Sequence, residues 1–161
     1  MGEPAVTNAS PLIFLARGGY LDLLQLTGDR VLVPMPVARE IRARGSHDVT
    51  ARALQETPWL KVVDPPEVPS FIQAWDLGPG ESAVLAWAHA HAGCEAIIDD
   101  LAARRCAITF GIPLRGTLGL VLLAKRRGRF PLARPILEEL RRGGMYLSDR
   151  TLDQALALIG E

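Results

Sequence analysis

Five residues of this chain could together handle a cation or a phosphate: Asn8, Glu40, Glu81, Asp99 and Asp100. Asn8 follows the short apolar run Ala5-Val6-Thr7, and Asp99-Asp100 follows Ala96-Ile97-Ile98. A carboxylate at the end of a buried apolar run is costly unless it is paired or bound to a cation. Glu40 lies within Val37-Ala38-Arg39-Glu40-Ile41, and Glu81 opens an almost wholly apolar segment. Acids gathered at one edge repel one another, and a hard divalent cation such as Mg2+ or Mn2+, which prefers oxygen ligands, relieves that repulsion. Such an ion can activate water and neutralise a phosphodiester during in-line attack. The hydroxyls of Ser10 and Thr117 are placed to orient water or a ligand acid.

Each of these residues also has a purely structural alternative. Asp99-Asp100 could end a strand and cap the following helix, while Glu81 could complement a helix N-terminus. Glu40 could pair with Arg44, four residues on. Asn8 could be a turn residue and Thr117 a helix N-cap.

In an open parallel sheet the ligand site lies beyond the carboxyl ends of the strands, so the chemistry depends on the elements around it. Strands are expected at Ala5–Thr7, Val31–Val33, Leu60–Val63, Ala96–Ile98 and Ile112–Leu114, with an edge strand at Met145–Leu147. Ser10 followed by Pro11 predicts a helix start with Ser10 as the cap, and Gly18-Gly19 ends that helix. Further helices are expected over Tyr20–Leu26, Val37–Arg44, Val49–Gln55, from Gly78-Pro79 to Gly93, from Leu101 through Ala107, and over Leu118–Arg127, Pro135–Arg142 and Thr151–Ile159. The proline-rich stretch Pro65–Pro69 reads as a loop. Short apolar strands alternating with helices predict an α/β fold, a three-layer α/β/α domain with a central, mainly parallel sheet spanning residues 1–161.

With 48% hydrophobic and 22% charged residues, the chain is expected to be soluble and globular. No apolar run approaches the roughly 20 residues that span a bilayer. The segment Met1-Gly2-Glu3-Pro4 lacks a signal-peptide pattern, so no membrane and a cytoplasmic location are expected. Net charge is zero, and no global field announces a polyanionic partner. A local basic stretch of Lys125, Arg126, Arg127 and Arg129 is the candidate nucleic-acid contact, with a solvated helix end as its alternative. Cys94 and Cys106 have no CxxC partner and are expected to be small buried thiols. The apolar residues of 82–92, with Leu152, Ala155, Leu156 and Ile159, exceed what one small core is expected to cover, which predicts a homodimer.

Taken in order, several blocks resemble the PIN-domain family. Val6-Thr7-Asn8-Ala9-Ser10-Pro11-Leu12-Ile13 resembles its opening, where an acidic residue ends the first strand before a small hydroxyl residue. The segment Val33-Pro34 followed by Val37-Ala38-Arg39-Glu40-Ile41 resembles its second acidic position. Leu77-Gly78-Pro79-Gly80-Glu81-Ser82-Ala83-Val84-Leu85-Ala86 resembles the third, and Ile97-Ile98-Asp99-Asp100-Leu101-Ala102-Ala103-Arg104 the fourth. Gly116-Thr117-Leu118-Gly119 is similar to the threonine turn that follows. The match runs over residues 5–150, with 151–161 as a C-terminal helix. It implies a Mg2+- or Mn2+-dependent ribonuclease of a prokaryotic branch, often the toxin of a toxin–antitoxin pair, with RNA as substrate and a small antitoxin protein as partner. The implied metal ligands are Asn8, Glu40, Glu81 and Asp99 or Asp100, and the four acids form the catalytic group. Asn8 departs from the family pattern, since many active members carry Asp there. Its carbonyl can still bind a hard cation, but without charge.

Two other classes compete with a nuclease. A catalytically weak PIN-like module that binds RNA or a protein is favoured by Asn8. A response-regulator-like or phosphatase domain also uses strand-end acids, but the chain has no clear DxD nucleophile motif, and Lys61 and Lys125 are its only lysines.

Overall fold

The computed structural model describes residues 2–161; Met1, with which the expected domain begins, lies outside the described residues. Five strands, β1 (Ala5–Thr7), β2 (Val31–Pro34), β3 (Leu60–Val63), β4 (Ala96–Ile97) and β5 (Leu114–Arg115), form one parallel sheet in the order β3-β2-β1-β4-β5. All residues of β1 and β2 are buried. This is why they read as continuous apolar runs and not as an alternating pattern. The expected parallel α/β architecture is therefore present, with helices flanking the sheet.

Around the sheet lie α1 (Ala9–Gly18), α2 (Met35–Arg42), α3 (Val49–Glu56), α4 (Ser70–Gln73), α5 (Pro79–Ala90), α6 (Leu101–Thr109), α7 (Thr117–Arg126), α8 (Arg134–Arg142) and α9 (Asp149–Ala157). The chain runs outward from β1 through β2 to β3, then restarts at β4 beside β1 and continues to β5. Right-handed crossovers in opposite directions put the connecting helices on opposite faces. The crevice beyond β1 and β4 is the topological switch point of the sheet, where ligands of such folds bind.

Local chemistry accounts for several boundaries. Asn8, and not Ser10, occupies the N-cap of α1, and Pro11 is tolerated because the first-turn N–H groups have no helical partner. Gly19, at φ 81°, ends the helix in the left-handed conformation that glycine adopts freely. The residues after Tyr20 form a 3-10 helix, Leu21–Thr27. Met145–Leu147 is not a strand: Met145 N–H donates to Leu140 O at 3.1 Å, and Arg141 donates to Leu147 O at 3.1 Å. These two bonds tie the segment to the end of α8 instead of to the sheet.

Helix α5 is apolar because the chain itself covers it. Ala83, Val84, Leu85, Ala86 and Ala88 are buried, and the helix packs on β1, β2, β4, α2, α4 and α6. Leu152, Ala155 and Leu156 of α9 are buried as well, and Ile159 packs against the same core. The surplus apolar surface expected at these positions is thus absorbed within one copy. Cys94 and Cys106 are buried free thiols. Burial, then the Glu3 and Glu95 carboxylates, push the Cys94 thiol up to about 12.

Candidate active site

The switch point brings Asn8 to the end of β1, its N–H donating to Ile97 O of β4 at 3.0 Å. An asparagine at an N-cap ordinarily accepts a hydrogen bond from the first turn of its helix, but the Asn8 side chain makes no such bond. Its Nδ2 instead donates to Glu81 Oε1 at 3.2 Å, and its Oδ1 is buried without any hydrogen-bond partner. An unpaired buried carbonyl oxygen loses its hydration with nothing in return, so it marks a place where a ligand belongs.

Gly80 explains how the neighbours approach. A Cβ there would lie 3.0 Å from Asn8 Oδ1 and 3.3 Å from Glu40 Oε2, tighter than ordinary contact. A side chain here would press on both, so glycine eases the close approach of an amide oxygen and a carboxylate. Helix α2 packs on α5 and carries Glu40 toward Glu81. Burial first, then the charge of Glu81, raises the Glu40 pKa above 4.5, and Arg44 opposes the shift. Arg44 is itself paired with Asp48 at 3.1 Å, so the i,i+4 partner suggested for Glu40 serves another acid.

Asp99 and Asp100 are adjacent in sequence but held differently. Asp99 Oδ1 accepts from Thr117 N–H at 2.7 Å, and its Oδ2 accepts from Thr117 Oγ1 at 2.6 Å. Thr117 is wholly buried at the first position of α7, so its hydroxyl fixes the Asp99 carboxylate and caps nothing. Asp100 caps α6, accepting from Ala103 N–H at 2.9 Å, and is exposed. Ser10, Glu81, Asp99 and Asp100 line a single cavity of about 820 Å³.

Among the described residues there is no group of three or more His, Cys, Asp or Glu side chains assembled to hold an ion. The oxygens at Gly80 are one of the Asn8 amide and one of the Glu40 carboxylate; Glu81 is held by the Asn8 Nδ2, while Asp99 is turned to Thr117. Oxygen donors of this kind suit a hard cation. The orphaned Asn8 Oδ1 and the Glu40 carboxylate oxygen beside Gly80 fit one.

The basic stretch is placed elsewhere. Along α7 the nine-residue step from Thr117 to Arg126 carries the chain roughly 14 Å from the acids. Lys125 pairs with Glu161 at 3.0 Å and donates to Ile159 O at 2.9 Å. Arg127 donates to Leu26 O at 3.1 Å, and Arg129 lies 3.9 Å from Asp22. Arg126 is exposed on the last turn of α7. Three of these four side chains therefore tie α7 to neighbouring segments.

Sequence reasoning passed over Gly80, Gly116 and Arg104. A Cβ on Gly116 would come within 2.7 Å of Arg104 Nη1 and 3.1 Å of Asp99 Oδ1, so its role is again close approach. The only local signal was each glycine's position beside a candidate acid or hydroxyl.

A family model described as a PIN domain matches residues 4–161 of the chain. No curated protein gives a significant match.

Proposed function

We propose that this chain, which belongs to the PIN-domain family, is a metal-dependent endoribonuclease that hydrolyses RNA phosphodiester bonds. The family has a nuclease-type fold, and the observation that carries the proposal is the unpaired Asn8 Oδ1 beside Glu40 and Glu81 at the switch point. Asn8, Glu40, Glu81 and Asp99 would hold Mg2+ or Mn2+, with Asp100 at the cavity edge as the further acid. When bound, the ion would activate water and offset phosphate charge. The Asn8 amide orients Glu81, and Thr117 fixes both oxygens of Asp99. Ser10 lies on the same cavity wall and can orient that water.

The resemblance to toxin-type members extends the proposal to a single-domain cytoplasmic protein acting as a homodimer and controlled by a small antitoxin protein. Consistent with this, no helix among the described residues is long and apolar enough to cross a membrane. Exposed Val49, Phe71, Ile108 and Leu132 are apolar surface that a second copy could cover.

A second reading, a weakly catalytic module that binds RNA or protein, is favoured by the neutral Asn8 and by its hold on Glu81. Titration of Mg2+ and Mn2+ against a panel of fluorescent RNAs separates the two. Wild type should cut in a metal-dependent manner, and Asp99→Asn should lose cleavage while remaining folded. If wild type and Asn8→Asp are both inert on varied RNA with either metal, the nuclease reading fails and the binding module replaces it.

A further inference from the structure

The cavity lined by Glu81, Asp99 and Asp100, though not by Asn8 or Glu40, continues past these acids along α6, α7, the segment after α8, and α9. Its wall carries two guanidiniums: Arg115 is paired through Nε with Glu95 at 3.2 Å, whereas Arg104 makes no ion pair among the described residues. Arg104 is half-buried on α6, and one of its nitrogens, Nη1, donates to Ile98 O at 3.0 Å. Asp99 and Asp100 lie close in the chain, yet Asp99 directs both oxygens to Thr117 and Asp100 caps its own helix. A guanidinium has five N–H donors in a planar fork suited to phosphate, and here the anchored nitrogen presets its orientation. The backbone accommodates this group, since any side chain at Gly116 would collide with Nη1 at 2.7 Å.

The same cavity has an apolar rim that is unusual for its exposure. Tyr146 is 92% exposed, Leu158 74% and Leu101 60%. Large apolar side chains clustered on one rim mark a binding surface. An exposed aromatic face stacks on any base.

We propose that this cavity is the strand-binding cleft, in which Arg104 holds a backbone phosphate next to the scissile bond and Tyr146 stacks on a neighbouring base. The inference rests on the nuclease reading above. It is carried by the continuity of the cavity with Glu81, Asp99 and Asp100, and by the N–H donors that Arg104 keeps beyond the one given to Ile98 O. It also moves the nucleic-acid contact away from Lys125, Arg127 and Arg129, which are tied to other segments.

The test is fluorescence anisotropy with a labelled single-stranded RNA in calcium, with the RNA checked intact on a gel, across a range of salt. The variants are Arg104→Gln, Arg104→Lys, Tyr146→Ala and Tyr146→Phe, each checked by circular dichroism. Arg104→Gln should weaken binding roughly tenfold and flatten the salt dependence by about one phosphate contact, while Arg104→Lys keeps the salt slope. Tyr146→Ala should weaken binding by at least about fivefold with little change in slope, and Tyr146→Phe should bind like wild type. Because Tyr146 is exposed, its variants test the cleft even if Arg104→Gln disturbs the fold. If wild type binds and cuts RNA but all four variants bind as tightly, the cleft assignment is wrong and the nuclease reading stands. If Tyr146→Ala instead changes the sedimentation of the protein and leaves RNA binding intact, the rim joins two copies and the assignment is again wrong. A wild type that neither binds nor cuts RNA removes both.

Discussion

At the scale of single residues, Asn8 carries the greatest consequence. It holds the N-cap position of α1 without capping it, gives its amide to Glu81, and leaves its carbonyl oxygen buried and unpaired. Asn8→Asp would replace a neutral oxygen ligand with a charged one and remove a donor from Glu81. Without metal the new carboxylate faces Glu40 and Glu81, so the variant should melt below wild type. With limiting Mn2+ it should cut RNA on the order of tenfold faster, or about 1.4 kcal/mol in the barrier. Equal melting in chelator and equal rates in metal would show that Asn8 lies outside the ion site.

Elements are joined by side chains that reach between them, and both ends of α7 are held in this way. Thr117 ties the end of β4 to the start of α7 through Asp99, so the acid moves only if the helix moves. At the other end of α7, Lys125 meets Glu161, whose carboxylate also accepts from Ala133 N–H at 2.7 Å and Arg134 N–H at 3.2 Å at the start of α8. Burial acts to raise the Glu161 pKa, but the Ala133 N–H, Lys125 and the Arg134 N–H outweigh it, and the net shift is downward. A carboxylate depressed in the folded state stabilises the fold above its unfolded pKa, and this is lost as pH falls through the folded value. Glu161→Gln should therefore lower stability at neutral pH, by no more than about 1 kcal/mol because solvent screens the contact. It should also flatten the acid limb of a stability–pH curve measured by urea unfolding between about pH 5 and 2. An unchanged acid limb would mean that the contact does not persist in solution.

Across the whole molecule, the strand order reverses at β1; Glu81, Asp99 and Asp100, from distant segments, line one cavity, and Glu40 feels the charge of Glu81. Like charges so placed oppose folding in the absence of a cation. Glu40 is the acid whose pKa records this, raised by burial and by Glu81. Glu40→Gln should raise the melting temperature slightly in chelator, an effect kept below about 1 kcal/mol by the exposure of Glu40. Mn2+ should stabilise wild type by about 2.7 kcal/mol at a hundredfold excess over its Kd, and should stabilise Glu40→Gln less. Thermal melts with and without Mn2+ decide this, and identical metal responses would exclude Glu40 from the ion site.

Local sequence determined much of this protein. Continuous apolar runs specify β1, β2 and β4, because strands covered on both faces need no polar alternation. Gly78-Pro79 opens α5, and Gly19 closes α1, because those residues act on their own backbone. The acids could be named because a polar group after a buried run is conspicuous wherever the strands lie. Only the tertiary structure shows that Asp99 and Asp100 are held differently, the first by Thr117 and the second as the cap of α6, since neighbours in sequence leave a strand end in different directions. It turned the basic stretch after α7 largely into internal ties, because Glu161, Leu26 and Asp22 are distant in sequence. It also buried the apolar faces of α5 and α9 within one copy, and left Asn8 Oδ1 unpaired beside a glycine that makes room for it. Periodicity and capping are written over a few successive residues, whereas which side chains share a crevice depends on strand order, a property of contacts between segments far apart in the chain.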